Sequence, residues 1–205
     1  KGGEKMKKIS MVIIVLMAIM ILPTTKADAA VLMDGFTAFA HTNFDAVVYW
    51  KVYSPLDGAS PLGSISDYGY YYQVHNSGIG SDTPITQFGV ANPNNLTITS
   101  AGYLTAAGNL DSLSGSVTPT STLVGFGSSA LWTFTTPPIP LGSDSYLLYF
   151  TTPYEPVMVN GGVQAGAYNT EGSVPGPAPE PASMVLLGSG LLGLVGASFR
   201  KKFKA

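Results

Sequence analysis

The stretch DYGYYYQVH, residues 67–75, decides the fold because its apolar residues recur with a period of two. One face of this stretch carries Tyr68, Tyr70, Tyr72 and Val74. Strict alternation of aromatic and β-branched residues is typical of a strand with one buried face. The stretch therefore predicts a β-strand whose tyrosine-bearing face belongs to the core.

The same alternation extends outward from this strand. Residues 45–53 place Ala46, Val48, Trp50 and Val52 on one face. Further strands are predicted at 31–39, 85–90, 96–100, 123–126, 130–135, 146–151, 157–160 and 163–168, with turn signals such as HNSGIG and NGG between them. Short strands without a helical period predict an all-β fold, an antiparallel β-sandwich that is immunoglobulin-like or jelly-roll-like.

Tyr71 lies between the core tyrosines and points to the opposite face of the predicted strand. Tyr68, Tyr70 and Tyr72 are predicted as core, since a buried strand face requires aromatic or branched residues. An exposed tyrosine ring can stack on a sugar ring while its hydroxyl forms hydrogen bonds. Tyr71 is therefore the candidate ligand-facing aromatic.

The charges of this 205-residue chain are concentrated at its two ends. Lys51 is the only Lys or Arg between residues 30 and 178, against nine Asp and Glu residues in the same segment, so the middle of the chain has a net charge near −8. Such a surface repels phosphate backbones, which argues against a nucleic-acid partner. The absence of cysteine excludes a disulfide scaffold and a thiolate metal site.

The first 29 residues have the pattern of a secretory signal peptide, which is expected to form a signal helix. After an upstream extension, residues 1–5, two lysines precede an apolar run at 9–22, and Ala27-Asp28-Ala29 forms an A-x-A site. We expect signal peptidase to cleave after Ala29. The alternative is an uncleaved membrane anchor, but the run is shorter than the about 20 apolar residues that span a bilayer.

A β-domain is predicted at 30–173. The segments that follow it agree with a chain whose N-terminal part is exported across the membrane. VPGPAPEP, residues 174–181, predicts an extended proline-rich spacer, because proline at this density disfavours both helix and sheet. The uncharged apolar run 182–199 predicts a transmembrane helix of about 27 Å. The basic tail 200–205, with Arg200, Lys201 and Lys202, is expected to stay in the cytoplasm.

This tail resembles the PEP-CTERM sorting signal. The resemblance rests on Pro179-Glu180-Pro181, the apolar segment MVLLGSGLLGLVGASF and the basic end RKKFK. It implies export in a Gram-negative bacterium, transient anchoring in the inner membrane, recognition by an exosortase, and delivery to the cell envelope or the extracellular space. The family's association with exopolysaccharide and biofilms makes exopolysaccharide a candidate partner. The alternative is an ordinary C-terminal membrane anchor.

The middle of the chain shows no catalytic motif. His41 and His75 are its only histidines, and neither an HExxH nor an HxH pair is present. Two carboxylates such as Asp67 and Glu155 could serve a glycosidase only if the fold brought them together. We therefore expect a non-enzymatic exported envelope or matrix protein with no metal or cofactor. A carbohydrate-binding module and a secreted hydrolase are the alternatives.

Overall fold

The computed structural model describes residues 31–56, 58–78, 83–105, 110, 115–124 and 129–178. Within these ranges the chain forms ten strands and one short 3-10 helix, Pro93–Asn95. The strands are β1 (Val31–His41), β2 (Phe44–Tyr53), β3 (Tyr68–Asn76), β4 (Gln87–Ala91), β5 (Ser100–Leu104), β6 (Ser121–Val124), β7 (Ser129–Thr133), β8 (Leu147–Thr152), β9 (Pro156–Ala165) and β10 (Tyr168–Pro177).

Two helices expected from the sequence, the signal helix and the transmembrane helix at 182–199, lie outside the described residues. In the part of the chain that the structure describes, no helix is long and apolar enough to cross a membrane.

The strands form two antiparallel five-stranded sheets, which confirms the all-β prediction. The first sheet has the order β1-β2-β3-β8-β5, and the second has the order β10-β9-β4-β7-β6. In constant-type immunoglobulin domains the third strand crosses to the other sheet. Here β3 stays beside β2, so the strand order differs from the immunoglobulin-like form of the prediction.

The core lies between the two sheets and is built on the predicted face of β3. Tyr70, Tyr72 and Val74 are fully buried. The ring of Tyr72 lies 5.4 Å from that of Phe88 on β4 and 6.0 Å from that of Trp132 on β7. Aromatic pairs at such distances contribute about 0.5–1.5 kcal/mol each beyond the area that they bury. These contacts hold the two sheets face to face.

The strand predicted at 96–100 is displaced to Ser100–Leu104. The amide of Asn92 accounts for the shift, because its nitrogen donates to the carbonyl oxygen of Leu96 at 2.7 Å and its oxygen accepts from the Leu96 N–H at 3.1 Å. Both backbone groups of Leu96 are therefore used locally, as is common for Asn in turns. Strand pairing begins only after this turn.

The predicted NGG turn is also wrong, because β9 continues through Asn160, Gly161 and Gly162. Glycine inside a strand can mark a close approach of neighbouring atoms as well as a turn. A Cβ atom at Gly161 would lie 2.7 Å from Cγ2 of Val174, a core residue. The reversal instead follows Ala165, where Gly166 has a φ of 58°.

The first half of the predicted spacer belongs to the second sheet. Residues 174–177 are buried in β10 and pair with β9. The carbonyl oxygen of Pro175 accepts a hydrogen bond from the Tyr72 hydroxyl at 2.6 Å, so this residue's backbone groups point away from β9. Proline at such a position costs no ladder hydrogen bond. Strand β10 therefore extends beyond residue 173, the predicted end of the β-domain, and runs through Pro177.

Strands β1 and β10 close one side of the two-sheet assembly. Thr37 donates its hydroxyl hydrogen to the carbonyl oxygen of Ser173, and Thr170 donates to that of Ala40 at 3.4 Å. Gly172 is needed here, because a Cβ atom would lie 2.9 Å from side-chain atoms of both Phe39 and Thr37. The edge strands at the other side are β5 and β6.

Tyr72→Phe is expected to lower the free energy of unfolding by about 1–3 kcal/mol, because the Pro175 carbonyl would be left buried without its donor. Urea unfolding of residues 31–178 measures the change. The control is Tyr103→Phe, because the Tyr103 side chain is exposed and makes no hydrogen bond to the described residues. Its free energy of unfolding is expected to change by no more than about 0.5 kcal/mol. Equal stabilities of the two variants would contradict the role of the Tyr72 hydroxyl.

The domain is expected to lose stability in alkaline solution. Burial raises the pKa of both Tyr70 and Tyr72 well above the ordinary value of tyrosine. The neighbouring Tyr68 phenol adds to the pKa shift of Tyr70, and the Tyr70 phenol adds to that of Tyr72. Because the folded-state pKa exceeds the unfolded value of about 10, the stabilisation is complete below about pH 10 and falls as the pH rises further. Urea unfolding across this range, with phenolate absorbance as a second readout, tests this. A free energy of unfolding that stays constant would contradict it.

Candidate functional site

Tyr71, the predicted ligand-facing aromatic, is fully buried, so this prediction is wrong. Its hydroxyl shares a 2.6 Å hydrogen bond with that of Ser60, and its ring packs in a second cluster with Tyr53, Leu110 and Leu147. Leu110 is held over the sheet by its own N–H, which donates to the Gln73 side chain at 2.9 Å. The outer face of β3 is therefore a second, covered core.

An aromatic pair with one exposed ring, that of Phe36, lies instead on the outer face of β1 and β2. Phe36 and Tyr49 are opposite each other across the two strands, with ring centroids 6.0 Å apart, and Phe36 is 66% exposed. They line a hollow of about 200 Å³ together with the next cross-strand pair, Asp34 and Lys51. The sequence contained a signal for this: Phe36 and Phe39 have opposite parity in one strand, so both cannot face the core.

A larger groove, of about 360 Å³, crosses the outer face of the second sheet. The groove is defined by residues of β4, β7, β9 and β10. Its floor is formed by Gly89 and Gly162, which are opposite each other in the ladder between β4 and β9. A Cβ atom at Gly162 would have only the Thr170 carbonyl oxygen within 4 Å, at 3.9 Å. The space above this glycine is therefore open.

Amide side chains flank the glycine floor. Gln87 is opposite Gln164, and Gln164 is opposite Asn169 on the next strand, while Asn160 lies two residues along β9 from Gly162. Gln164 donates to the Gly166 carbonyl at 2.9 Å. Within the described ranges, the side chains of Gln87, Asn160 and Asn169 form no hydrogen bond. Because each amide offers two donors and an acceptor, these groups are suited to binding hydroxyl-rich ligands.

The two ends of the groove differ in polarity. At one end Glu171 pairs with Gly162, which pairs with Gly89. At the other end Gly89 pairs with Leu131, which pairs with the exposed Leu123. The first end is therefore acidic and the second is apolar. Glu171 is the only carboxylate among the described residues that line the groove. Acid catalysis of glycoside hydrolysis requires a pair of carboxyl groups. The groove can bind a ligand, but its described residues do not provide that pair.

The two histidines have structural surroundings. His75 Nδ1 lies 2.6 Å from Asp144 Oδ1, and the adjacent Ser145 N–H donates to the Val74 carbonyl at 2.8 Å, so this contact fastens residues 143–145 to β3. The ring of His41 lies between those of Phe44 and Tyr168, at 5.4 Å and 5.3 Å. Among the described residues, no hydroxyl hydrogen-bonds to the His75 imidazole, and no group of three metal-ligating side chains occurs.

The carboxylates of Asp67 and Glu155 have different hydrogen-bond partners. Asp67 accepts from the hydroxyl of Ser66, and Glu155 accepts from that of Tyr68, each at 3.4 Å. Partial burial raises the pKa of the Tyr68 phenol, and the negative charge of Glu155 raises it further by a smaller amount. Neither carboxylate lines the groove or the aromatic hollow. The structure therefore gives no geometric support to this pair as hydrolytic residues.

The residues predicted for export and sorting lie outside the described part of the chain: Ala27, Ala29, Pro179, Glu180, Pro181, Arg200, Lys201 and Lys202. The last residue before this segment is Ala178, whose N–H donates to the Glu155 carbonyl at 2.8 Å. The sheet therefore holds the chain up to the residue that precedes Pro179.

Residues 177–202 match the family model of the PEP-CTERM protein-sorting motif. This match confirms the resemblance of the tail, including the triplet at 179–181, the apolar segment and the first basic residues. No curated protein and no solved structure matches the chain.

Proposed function

We propose that this chain, which carries a PEP-CTERM sorting motif, is a non-enzymatic β-sandwich protein of the cell envelope or extracellular matrix. The motif at 177–202 is the observation that carries the proposal, because it supports export and sorting by an exosortase, with transient anchoring by the C-terminal signal. Signal peptidase would remove residues 1–29. The apolar run 182–199 would hold the chain in the inner membrane of a Gram-negative cell until the tail is processed.

The described residues favour a binding or structural role over catalysis. The groove has a single carboxylate among its described lining residues, and the imidazole of His75 is engaged with Asp144. Two aromatic-rich clusters, one between the sheets and one on the outer face of β3, make the delivered domain well packed. A stable acidic domain without chemistry of its own would suit a component of an exopolysaccharide-rich matrix or biofilm.

Glu180→Ala is expected to block removal of the tail while leaving cleavage after Ala29 intact, because the carboxylate between two prolines belongs to the matched motif. Intact-mass spectrometry of protein from membranes and from culture supernatant of the native host measures both ends. The matched control is Glu171→Ala, a carboxylate in the folded domain. Normal tail removal in the Glu180 variant would contradict the role of the triplet. A complete C-terminus on the unmodified protein, found only in membranes, would support the ordinary anchor.

A second candidate function is binding of uncharged polysaccharide, and the glycine-floored groove favours it. Polysaccharide presents rows of hydroxyl groups, each of which donates and accepts. The amides of Gln87, Asn160 and Asn169 border the open floor without hydrogen bonds to the described residues. The net negative charge of the domain favours an uncharged polymer over an acidic one. The aromatic pair of Phe36 and Tyr49, with its exposed Phe36 ring, is the alternative surface.

Gly162→Val is expected to weaken retention on the host's exopolysaccharide at least about tenfold, equivalent to about 1.4 kcal/mol. The branched side chain would fill the groove from its floor, while its Cβ meets only one atom within 4 Å and valine suits a strand. Affinity electrophoresis in gels containing the polysaccharide measures the loss.

The comparison variant for this experiment is Phe36→Ala, which removes the exposed ring of the other surface. If the groove is the site, this variant is retained as well as the unmodified domain. Loss of retention in the Phe36 variant alone would assign binding to the aromatic pair. No retention of the unmodified domain would remove this second candidate function and leave the sorting proposal unaffected.

A further inference from the structure

The first residues of β1 and the last residues of β10 lie on the same side of the domain. Strand β1 starts at Val31, opposite Tyr53, and β10 ends at Pro177, opposite Pro156. The contacts of Thr37 with Ser173 and of Ala40 with Thr170 show that β1 and β10 lie side by side and run in opposite directions. The start of β1 and the end of β10 therefore meet. We call this the exit end.

Apolar side chains are exposed at the exit end. Val31, Leu32, Val157 and Met158 are each between 40% and 45% exposed, and they belong to the first residues of β1 and β9. We call these four residues the apolar rim. Exposed apolar side chains that share one end of a domain are suited to contact with another apolar phase. Lys51, the only Lys or Arg between residues 30 and 199, lies on β2 opposite Asp34, so its positive charge near the rim faces a carboxylate.

The chain leaves little distance between this end and the apolar run of the tail. The N–H of Ala178 donates to the carbonyl oxygen of Glu155, the residue before β9, and only residues 179–181 separate Ala178 from residue 182. Four extended Cα steps cover at most about 14 Å. When the run at 182–199 is in the bilayer, the exit end must lie at the membrane surface.

We propose that the apolar rim rests on the lipid surface while the tail anchors the chain. This inference depends on the proposed insertion of residues 182–199. The contact is hydrophobic, because the rim is apolar and the domain's net charge is negative, so added salt should not release it. The predicted signal peptide, residues 1–29, would also join the domain at this end, one residue before Val31, so one orientation suits both terminal segments.

The test uses the full chain reconstituted into phosphatidylcholine vesicles. The chain has no cysteine, so Met158→Cys introduces a single site for an environment-sensitive fluorophore. The matched control is Leu141→Cys, because Leu141 is 46% exposed against 45% for Met158, and it lies beside Gly78, beyond the other end of β3. A third variant adds twenty Gly and Ser residues between Ala178 and Pro179 to the Met158 variant.

The Met158 label is expected to shift to the blue and to be quenched by nitroxide-labelled lipid, equally at low and high salt. The Leu141 label should do neither, and the long linker should abolish or strongly weaken both effects. Vesicle flotation is measured in parallel. If the chains float but the blue shift and quenching are the same for the labels at both positions, the rim contact is overturned and anchoring is left intact. Chains that do not float would overturn both. A shift that scales with protein density would indicate contact between copies, and would also overturn the proposal.

Discussion

The hydrogen bond from the Tyr72 hydroxyl to the Pro175 carbonyl is the interaction on which the rest of the structure depends. It spans the core, because Tyr72 lies on the central strand of the first sheet and Pro175 on an edge strand of the second. The ring of Tyr72 meanwhile contacts Phe88, Trp132 and Phe150. One side chain thus packs the two sheets and fixes the strand that leads into the sorting motif.

The sequence was sufficient to predict the strands whose two faces have different environments. Tyr70 and Tyr72 were predicted as core from parity alone, and both are buried. Parity failed for Tyr71, because the outer face of β3 is covered by Leu110 and by Ser60, which lie outside that strand. A local pattern reports alternation, but it does not report which segment will cover a face.

Glycine and proline were the least informative residues in the sequence, because each serves two structural purposes. Gly161 and Gly162 suggested a turn, yet they provide close packing against Val174 and an open groove floor. Pro175 and Pro177 suggested a spacer, yet they occupy an edge strand. The groove itself depends on the register that places Gly89 opposite Gly162, which connects residues more than seventy positions apart. Periodicity within either strand could not supply that pairing.

Among the described strands, the two remaining sheet edges are short, and this bears on the tendency of the domain to aggregate. β5 has five residues and β6 has four, whereas the long strand β10 is protected by its contacts with β1. Unpaired strand edges are templates for the growth of fibres, and short edges offer little to extend. If the domain is delivered outside the cytoplasm, as proposed, these short edges would help it to resist conversion into amyloid-like polymers where cytoplasmic chaperones are absent.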